Sequence, residues 1–264
     1  MRVLELCCFI LGLLVGSFLN VCIYRWPLGL SVVRPRSFCP ACKTPIAWYD
    51  NIPVLSFLVL KGRCRSCAHP ISWWYPTVEL ATGLAFAAAV HLEKEPYGAV
   101  RLAVVSALLI GLAVSDLRSR ILPDEFTLGG LAIGLLWAWL VPGPPSLLAL
   151  VLPFSDVRWA SLAEAAISAV ALAGLLWMVG RLYLWIRGRE GLGLGDVKLA
   201  AMLGAWFGFQ PALLILTIGS VMGSVLGLGY IYLARKDPRS YWLPYGTFLA
   251  VAGVGWAFWR AAGY

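Results

Sequence analysis

Eight apolar runs, each bounded by charge or proline, divide the chain at residues 3–24, 74–92, 99–116, 125–141, 161–186, 197–210, 212–233 and 242–260. Runs of this kind predict helices that cross a hydrocarbon core, which needs about 20 apolar residues. The sixth is short by that measure. It is expected to begin inside the fold, in a cavity that shelters the glycine-rich approach to Asp196, because irregular backbone at membrane depth needs such shelter. The connection 25–73 is the one stretch able to form a soluble module, and it is too small to bury a sizeable core unaided. The next longest, 142–160, is proline-rich and reads as an outward-facing loop without chemistry.

Composition agrees with this pattern. The chain is 61% hydrophobic and 13% charged, against roughly 45–50% and 25% in soluble domains. A soluble globular domain is thereby excluded. The first run starts almost at Met1 and lacks a basic n-region and a small-residue cleavage site, so it reads as a retained helix and not a secretory signal. The net charge of +8 would suit nucleic acid on its face, but the basic residues are segregated. Segments 25–73, 117–124, 187–198 and 234–241 hold fifteen Lys and Arg, and the alternate connections with both termini hold five. The excess places the basic face in the cytoplasm and both termini outside. No nucleic-acid partner is expected; the bilayer accounts for the charge.

Against this background two acids stand out. Asp116 closes the third run, and Asp196 opens the sixth within Gly193-Leu194-Gly195-Asp196-Val197-Lys198. A charge at membrane depth costs at least ~2.5 kcal/mol on insertion scales, so such residues are expected to serve a function. Both fall at cytoplasmic ends of their spans, a match that did not enter the topology assignment. Capping of a helix by Asp196 is the plainer reading, but it leaves the depth of Asp116 unexplained. Two adjacent carboxylates would share one proton. The charged member can deprotonate an attacking water while the neutral one polarises an amide carbonyl and then protonates the leaving amine. That is the chemistry of an aspartyl peptidase. The alternative is a proton-coupled transporter, whose acids sit more often near the midplane beside broken helices.

With two histidines in the chain and no HExxH, a histidine-based metallopeptidase site is unavailable, and Ser-His chemistry is poorly supported. The cytoplasmic connection carries Cys39-Pro40-Ala41-Cys42 and Cys64-Arg65-Ser66-Cys67. Four thiolates in two knuckles suit tetrahedral Zn²⁺, and four sulfurs leave no open position, so the metal is expected to be structural. A module this small needs such a staple, and the cytoplasm argues against disulfides. An iron-bound form or a redox dithiol are the alternatives. His69 reads as a surface or supporting residue.

At these residues the chain resembles the type IV prepilin peptidase family, bifunctional leader peptidases and N-methyltransferases whose GxGD-type aspartate chemistry is similar to that of presenilin. The resemblance runs through Gly16-Ser17-Phe18-Leu19-Asn20-Val21 with Tyr24-Arg25 and Pro27, and the paired CxxC motifs. It continues through Asp116 to Leu122-Pro123-Asp124, Gly193–Lys198, and Leu243-Pro244-Tyr245-Gly246-Thr247-Phe248-Leu249. Tyr245 and Thr247 stand where Phe and Pro are common, and Trp74 where a basic residue is expected beside Tyr75-Pro76.

The resemblance implies an all-α polytopic protein of the bacterial inner membrane. Its domains would be a first transmembrane helix (1–24), a cytoplasmic four-cysteine module (25–73), a second helix with an outer loop (74–98) and a six-helix aspartyl peptidase core (99–260). It implies removal of the basic leader from type IV prepilins or type II secretion pseudopilins, after a glycine and before the apolar helix. It also implies N-methylation of the new terminus from S-adenosylmethionine by the N-terminal region.

Asp116 and Asp196 are then the catalytic pair. Lys198 either favours the charged form of the pair, receives an acidic substrate group, or snorkels to lipid phosphate. Asp124 is an accessory acid or a turn and capping residue. Glu79 leads the candidates for contact with a substrate ammonium or the methyl donor, or else pairs with a basic residue across a helix interface. Asn20, Arg25 and Lys43 are weaker candidates, and Arg25 also suits a headgroup anchor.

Overall fold

The computed structural model describes residues 2–143, 156–189, 191–235 and 243–263. Among the described residues all regular structure is helical apart from two isolated bridges. The helices are α1 (Arg2–Arg25), a short α2 (Leu55–Val59), α3 (Trp74–Leu92), α4 (Pro96–Ser119), α5 (Asp124–Leu140), α6 (Val157–Arg187), α7 (Leu194–Phe207), α8 (Phe209–Leu233) and α9 (Tyr245–Ala261). Each of the eight apolar runs therefore forms one long helix. Most of the loop expected at 142–160 lies outside the described residues.

Helix ends follow local chemistry. Pro96 starts α4, where its missing N–H is not needed. Asp156 caps α6 by accepting from the N–H of Arg158 at 2.8 Å. Gly188, at φ +67, ends the same helix in the left-handed conformation that glycine adopts without penalty. Four helices, α1, α4, α6 and α8, are individually long and apolar enough to cross a membrane. Much of their apolar surface is exposed, including Leu4, Leu14, Val170, Trp185, Val225 and Leu233, as suits a protein whose solvent is lipid and not water.

The chain divides into two compact units, Met1–Val114 with Ala257–Tyr264, and Ser115–Trp256. In the first, α1 packs along α3. The contact is close: a Cβ on Gly16 would lie 2.6 Å from the Glu79 Cα, so only glycine permits it. In the second, α7 packs against α5, α6 and α8. Leu199, Ala200, Met202 and Leu203 on α7 are completely buried. With 14 residues, α7 falls short of the ~20 for an independent span, and its neighbours enclose it instead. It starts at Leu194, three residues earlier than the hydropathy pattern predicts, so Asp196 lies inside its first turn and not before it.

Candidate active site and metal centre

Asp116 lies one turn from the C-terminal end of α4. After Ser119 the chain turns at Arg120, with φ +58 and its N–H donating to the Asp116 carbonyl at 2.9 Å. Ser115 Oγ donates to the Ile121 carbonyl at 3.0 Å and draws the turn back over the helix end. Leu122 then packs against two glycines. A Cβ on Gly195 would sit 3.1 Å from the Leu122 Cβ, and one on Gly246 would sit 2.8 Å from its Cδ1. Those glycines immediately precede Asp196 and Thr247. The turn after α4 thus seats itself on the first turns of α7 and α9, and brings Asp116, Asp196 and Thr247 to one end of the second unit.

The two acids are held differently. Asp116 is buried, and its Oδ2 accepts from the Thr247 N–H at 2.7 Å and the Thr247 hydroxyl at 3.0 Å. Asp196 is half-buried, and its Oδ2 accepts one longer bond, from the Gly193 N–H at 3.3 Å. Its own N–H donates to the Gly193 carbonyl. Gly193 is therefore the N-cap of α7 and Asp196 its third residue, bonding back to the Gly193 N–H, so the plainer reading of Asp196 as the cap itself does not hold; Asp196 is also near enough to Asp116 to feel its charge. Tyr245 is close enough to Asp196 to feel its charge, and its hydroxyl bonds Ser220 Oγ on α8 at 2.9 Å.

Lys198 and Asp124 meet each other. Nζ lies 2.6 Å from Oδ1 in a largely exposed ion pair that joins α7 to the first residue of α5. Asp124 also suits that position because a negative charge is favoured at a helix N-terminus.

The four cysteines also come together, with Sγ atoms all within 4.8 Å of one another. Sulfurs about 2.3 Å from a tetrahedral Zn²⁺ stand about 3.8 Å apart, and Cys39 and Cys67 are 3.8 Å apart. The donor set and its spacing fit a tetrahedral metal. Each knuckle is closed the same way. Lys43 N–H donates to Cys39 O and Cys39 N–H to Thr44 O, while Ala68 N–H donates to Cys64 O and Cys64 N–H to His69 O. Lys43 and Ala68 both take positive φ, +61 and +55, and antiparallel bridges Phe38–Pro45 and Arg63–Pro70 tie the ends. The sequence carries this as a short repeat, Cys39-x-x-Cys42-x-x-Pro45-Ile46 and Cys64-x-x-Cys67-x-x-Pro70-Ile71. Comparison of the two knuckles beyond their cysteines would have revealed it. The Thr44 hydroxyl and N–H, bonding Cys42, hold its thiol down at about 6, while within the same cluster burial and the neighbouring thiols push Cys67 up to about 12. Arg65 in the second knuckle bonds Asp50 at 2.6 Å and holds that carboxyl below the usual range.

The remaining candidates lie in the first unit. Lys43 belongs to the first knuckle, with Nζ 5.4 Å from the Phe38 ring centre. Asn20 and Arg25 are buried and donate to backbone carbonyls: Asn20 to Tyr75, Arg25 to Ser31 and Pro35 at 2.8 and 2.7 Å. Glu79 is buried too. Its Oε2 accepts from the Val54 N–H at 2.7 Å, and Ser17 also bonds it. Val54 has φ +61, a strained conformation for a β-branched residue. Glu79 thus pairs with a strained backbone N–H. A cavity of about 330 Å³ opens beside these groups, lined in part by Ser17, Phe18, Arg25, Val33, Arg36 and Asn51.

Comparison with known proteins follows the same division. The family described as "Bacterial Peptidase A24 N-terminal domain" matches residues 10–92, and the "Type IV leader peptidase family" matches residues 103–228. A "Prepilin leader peptidase/N-methyltransferase" of Aeromonas hydrophila is 35% identical, over 93% of this chain and 87% of its own. One of the same description from Klebsiella pneumoniae is 43% identical over 76% and 84%. The "Type 4 prepilin-like proteins leader peptide-processing enzyme" of Escherichia coli is 37% identical over 95% and 92%. No solved structure matches the chain.

Proposed function

Since the chain belongs to the type IV leader peptidase family, we propose that Asp116 and Asp196 form its proteolytic pair. The protein is a prepilin leader peptidase and N-methyltransferase. What supports the assignment is that the turn at Leu122, after α4, seats on Gly195 and Gly246, which brings Asp116, Asp196 and Thr247 to one end of the second unit. One shared proton lets the charged carboxylate take a proton from water as its oxygen attacks the glycine carbonyl carbon of the scissile bond. The neutral carboxyl polarises that carbonyl and then supplies the proton that releases the amine.

The eight long helices cross the bacterial inner membrane, α7 within a sheath of its neighbours, with both termini outside. This puts the Asp116–Asp196 end and the cysteine module on the cytoplasmic side, where a basic leader stays. The lysine and arginine bias supports that orientation. Asp124 and Lys198 brace the site by fixing α5 to α7. Prepilins or secretion pseudopilins are the substrates.

Cys39, Cys42, Cys64 and Cys67 would hold one structural zinc, four thiolates that would leave it no open position for chemistry. The methyl-transfer site is the cavity beside Ser17 and Arg25. Its volume lies at the small end of ligand pockets, about 300–1,000 Å³. Apolar Phe18 and Val33 suit a purine and Arg36 suits a carboxylate. S-adenosylmethionine supplies an electrophilic methyl group there. Glu79, behind Ser17, holds the substrate ammonium, while Asn20 and Arg25 shape the wall. Lys43 stays with the metal module.

The deciding experiment is mass spectrometry of a model prepilin incubated with purified, lipid-restored protein and S-adenosylmethionine. Cleavage lost in both Asp116→Asn and Asp196→Asn supports the pair, and normal cleavage by either variant rejects it.

A further inference from the structure

Thr247 carries two of the bonds that hold the proposed site, and its position in the chain makes this unusual. It stands where the family pattern commonly has proline, and proline offers neither an N–H nor a hydroxyl. In this chain both donors exist and both are aimed at one oxygen, Asp116 Oδ2, across 131 positions of sequence. The groups around the carboxylate are Asp196 from α7, Arg120 from the turn after α4, and Thr247 from α9.

We propose that Thr247 is a positioning residue for leader cleavage, which engages Asp116 Oδ2 through its N–H and hydroxyl and leaves Oδ1 as the oxygen that works on water. Two donors on one oxygen occupy both of its acceptor directions. They also stop rotation about the Cβ–Cγ bond, so the reactive oxygen is the same one in every turnover. Preorganisation of this kind acts on the chemical step more than on binding.

The neighbouring departure supports the idea. Tyr245 stands where Phe is common, and its hydroxyl bonds Ser220 on α8. Phe has no such group. Both departures thus add hydrogen bonds that fix the first turn of α9, one to the adjoining helix and one to the acid. Gly246 between them presses on Leu122 of the turn after α4, so the register of α9 against Asp116 is set from both sides.

The inference rests on the proposed aspartate pair, and its test separates the two. Leader cleavage by the purified full-length protein in lipid is measured for Thr247→Ser, Thr247→Val, Thr247→Pro and Asp116→Asn, with kcat and KM resolved. Charge-assisted hydrogen bonds are each worth about tenfold or more in rate where they act in the transition state. Thr247→Ser keeps both donors and retains kcat within about twofold. Thr247→Val loses the hydroxyl and falls about tenfold in kcat with KM unchanged. Thr247→Pro loses both and falls about 100-fold. Residue 247 lies in the first turn of α9, where proline is tolerated. Should the proline variant fail to fold, the serine and valine variants decide alone.

Wild-type kcat in Thr247→Val, or a loss expressed only in KM, overturns the role of Thr247 while an inactive Asp116→Asn leaves the pair standing. Normal cleavage by Asp116→Asn overturns both.

Discussion

The cysteine module and the aspartate end of the second unit both join distant segments, yet they are built by different means. Each cysteine knuckle closes within eight residues, through its own backbone bonds and a positive-φ turn. Only one long-range step, bringing two finished knuckles together, remains. The aspartate end has only short local turns, at Arg120 and at Gly193–Asp196, and none of them joins one acid to the other. Asp116, Asp196 and Thr247 come from three helices, and their meeting depends on where α4 stops, where α7 starts and how α9 is registered by Leu122. A metal can organise the first kind of site from an imperfect chain. The second tolerates little displacement, because its parts are positioned by helix packing and a few long-range hydrogen bonds, with no metal to draw them together.

The largest expected effect separates the two regions outright. Asp116→Asn and Asp196→Asn each lower leader cleavage by a factor on the order of 10³ or more, since one member of the proton-sharing pair can no longer ionise. Methyl transfer to an already cleaved pilin continues near its wild-type rate, because the residues assigned to it lie in the first unit. Labelled methyl incorporation beside mass spectrometry of the leader reads both activities. Parallel loss of both would show that the two regions cannot be separated in this way.

The converse experiment removes the metal site. Metal analysis returns about one zinc per chain in the wild type, matching the single four-sulfur cluster. Cys39→Ser with Cys64→Ser abolishes it and unfolds the module, because structural zinc contributes ~10 kcal/mol or more to domains of this size. Methyl transfer falls below detection, and leader cleavage falls far less. A metal-free protein with a fully protected module by hydrogen exchange would refute the zinc assignment.

These contrasts also explain what could be read from the chain beforehand. All eight long helices were legible because a lipid solvent leaves an unbroken apolar record, such as 74–92, which became α3 without change. The four-cysteine cluster was legible because CxxC spacing is local. Asp116 and Asp196 were legible as charges out of place, but their partners were not. Thr247 bears no chemical mark on sequence inspection; its departure from proline was the available signal, and only the fold shows that the departure faces Asp116. Lys198 and Asp124 were each singled out, yet 74 positions of sequence hid that they pair with each other. Glu79 was expected to meet a basic residue across a helix interface or a ligand, and the strained Val54 N–H that it accepts from cannot be inferred from hydropathy.

Glu79 gives a smaller and more selective effect. Glu79→Gln keeps an acceptor for the Val54 N–H and loses the charge, so the fold is retained while methyl transfer falls about 10- to 100-fold if the carboxylate holds the substrate ammonium. Leader cleavage is unchanged. Glu79→Ala goes further, because the partly buried N–H of Val54 then loses its Glu79 acceptor, at a cost of about 1 kcal/mol. Thermal unfolding in lipid nanodiscs distinguishes these variants. Equal methyl transfer in Glu79→Gln and wild type would assign Glu79 to architecture alone.

The smallest effect bears on the difference between holding a site together and working in it. Tyr245→Phe removes one hydroxyl and leaves the ring in place, so it deletes the bond to Ser220 and little else. Such a hydrogen bond contributes about 1 kcal/mol net, and the variant is expected to lose about that much stability. Because Thr247 keeps both of its bonds to Asp116, kcat for leader cleavage stays within about twofold. Ser220→Ala deletes the other partner and should cost a similar amount, while the double variant costs no more than either alone, since the two act through one bond. A double-mutant cycle on unfolding and on kcat therefore gives coupling in the first measurement and none in the second. Coupling in kcat would mean that the first turn of α9 moves when its anchor to α8 is cut. Cleavage would then depend on the placement of the whole helix and not on Thr247 alone.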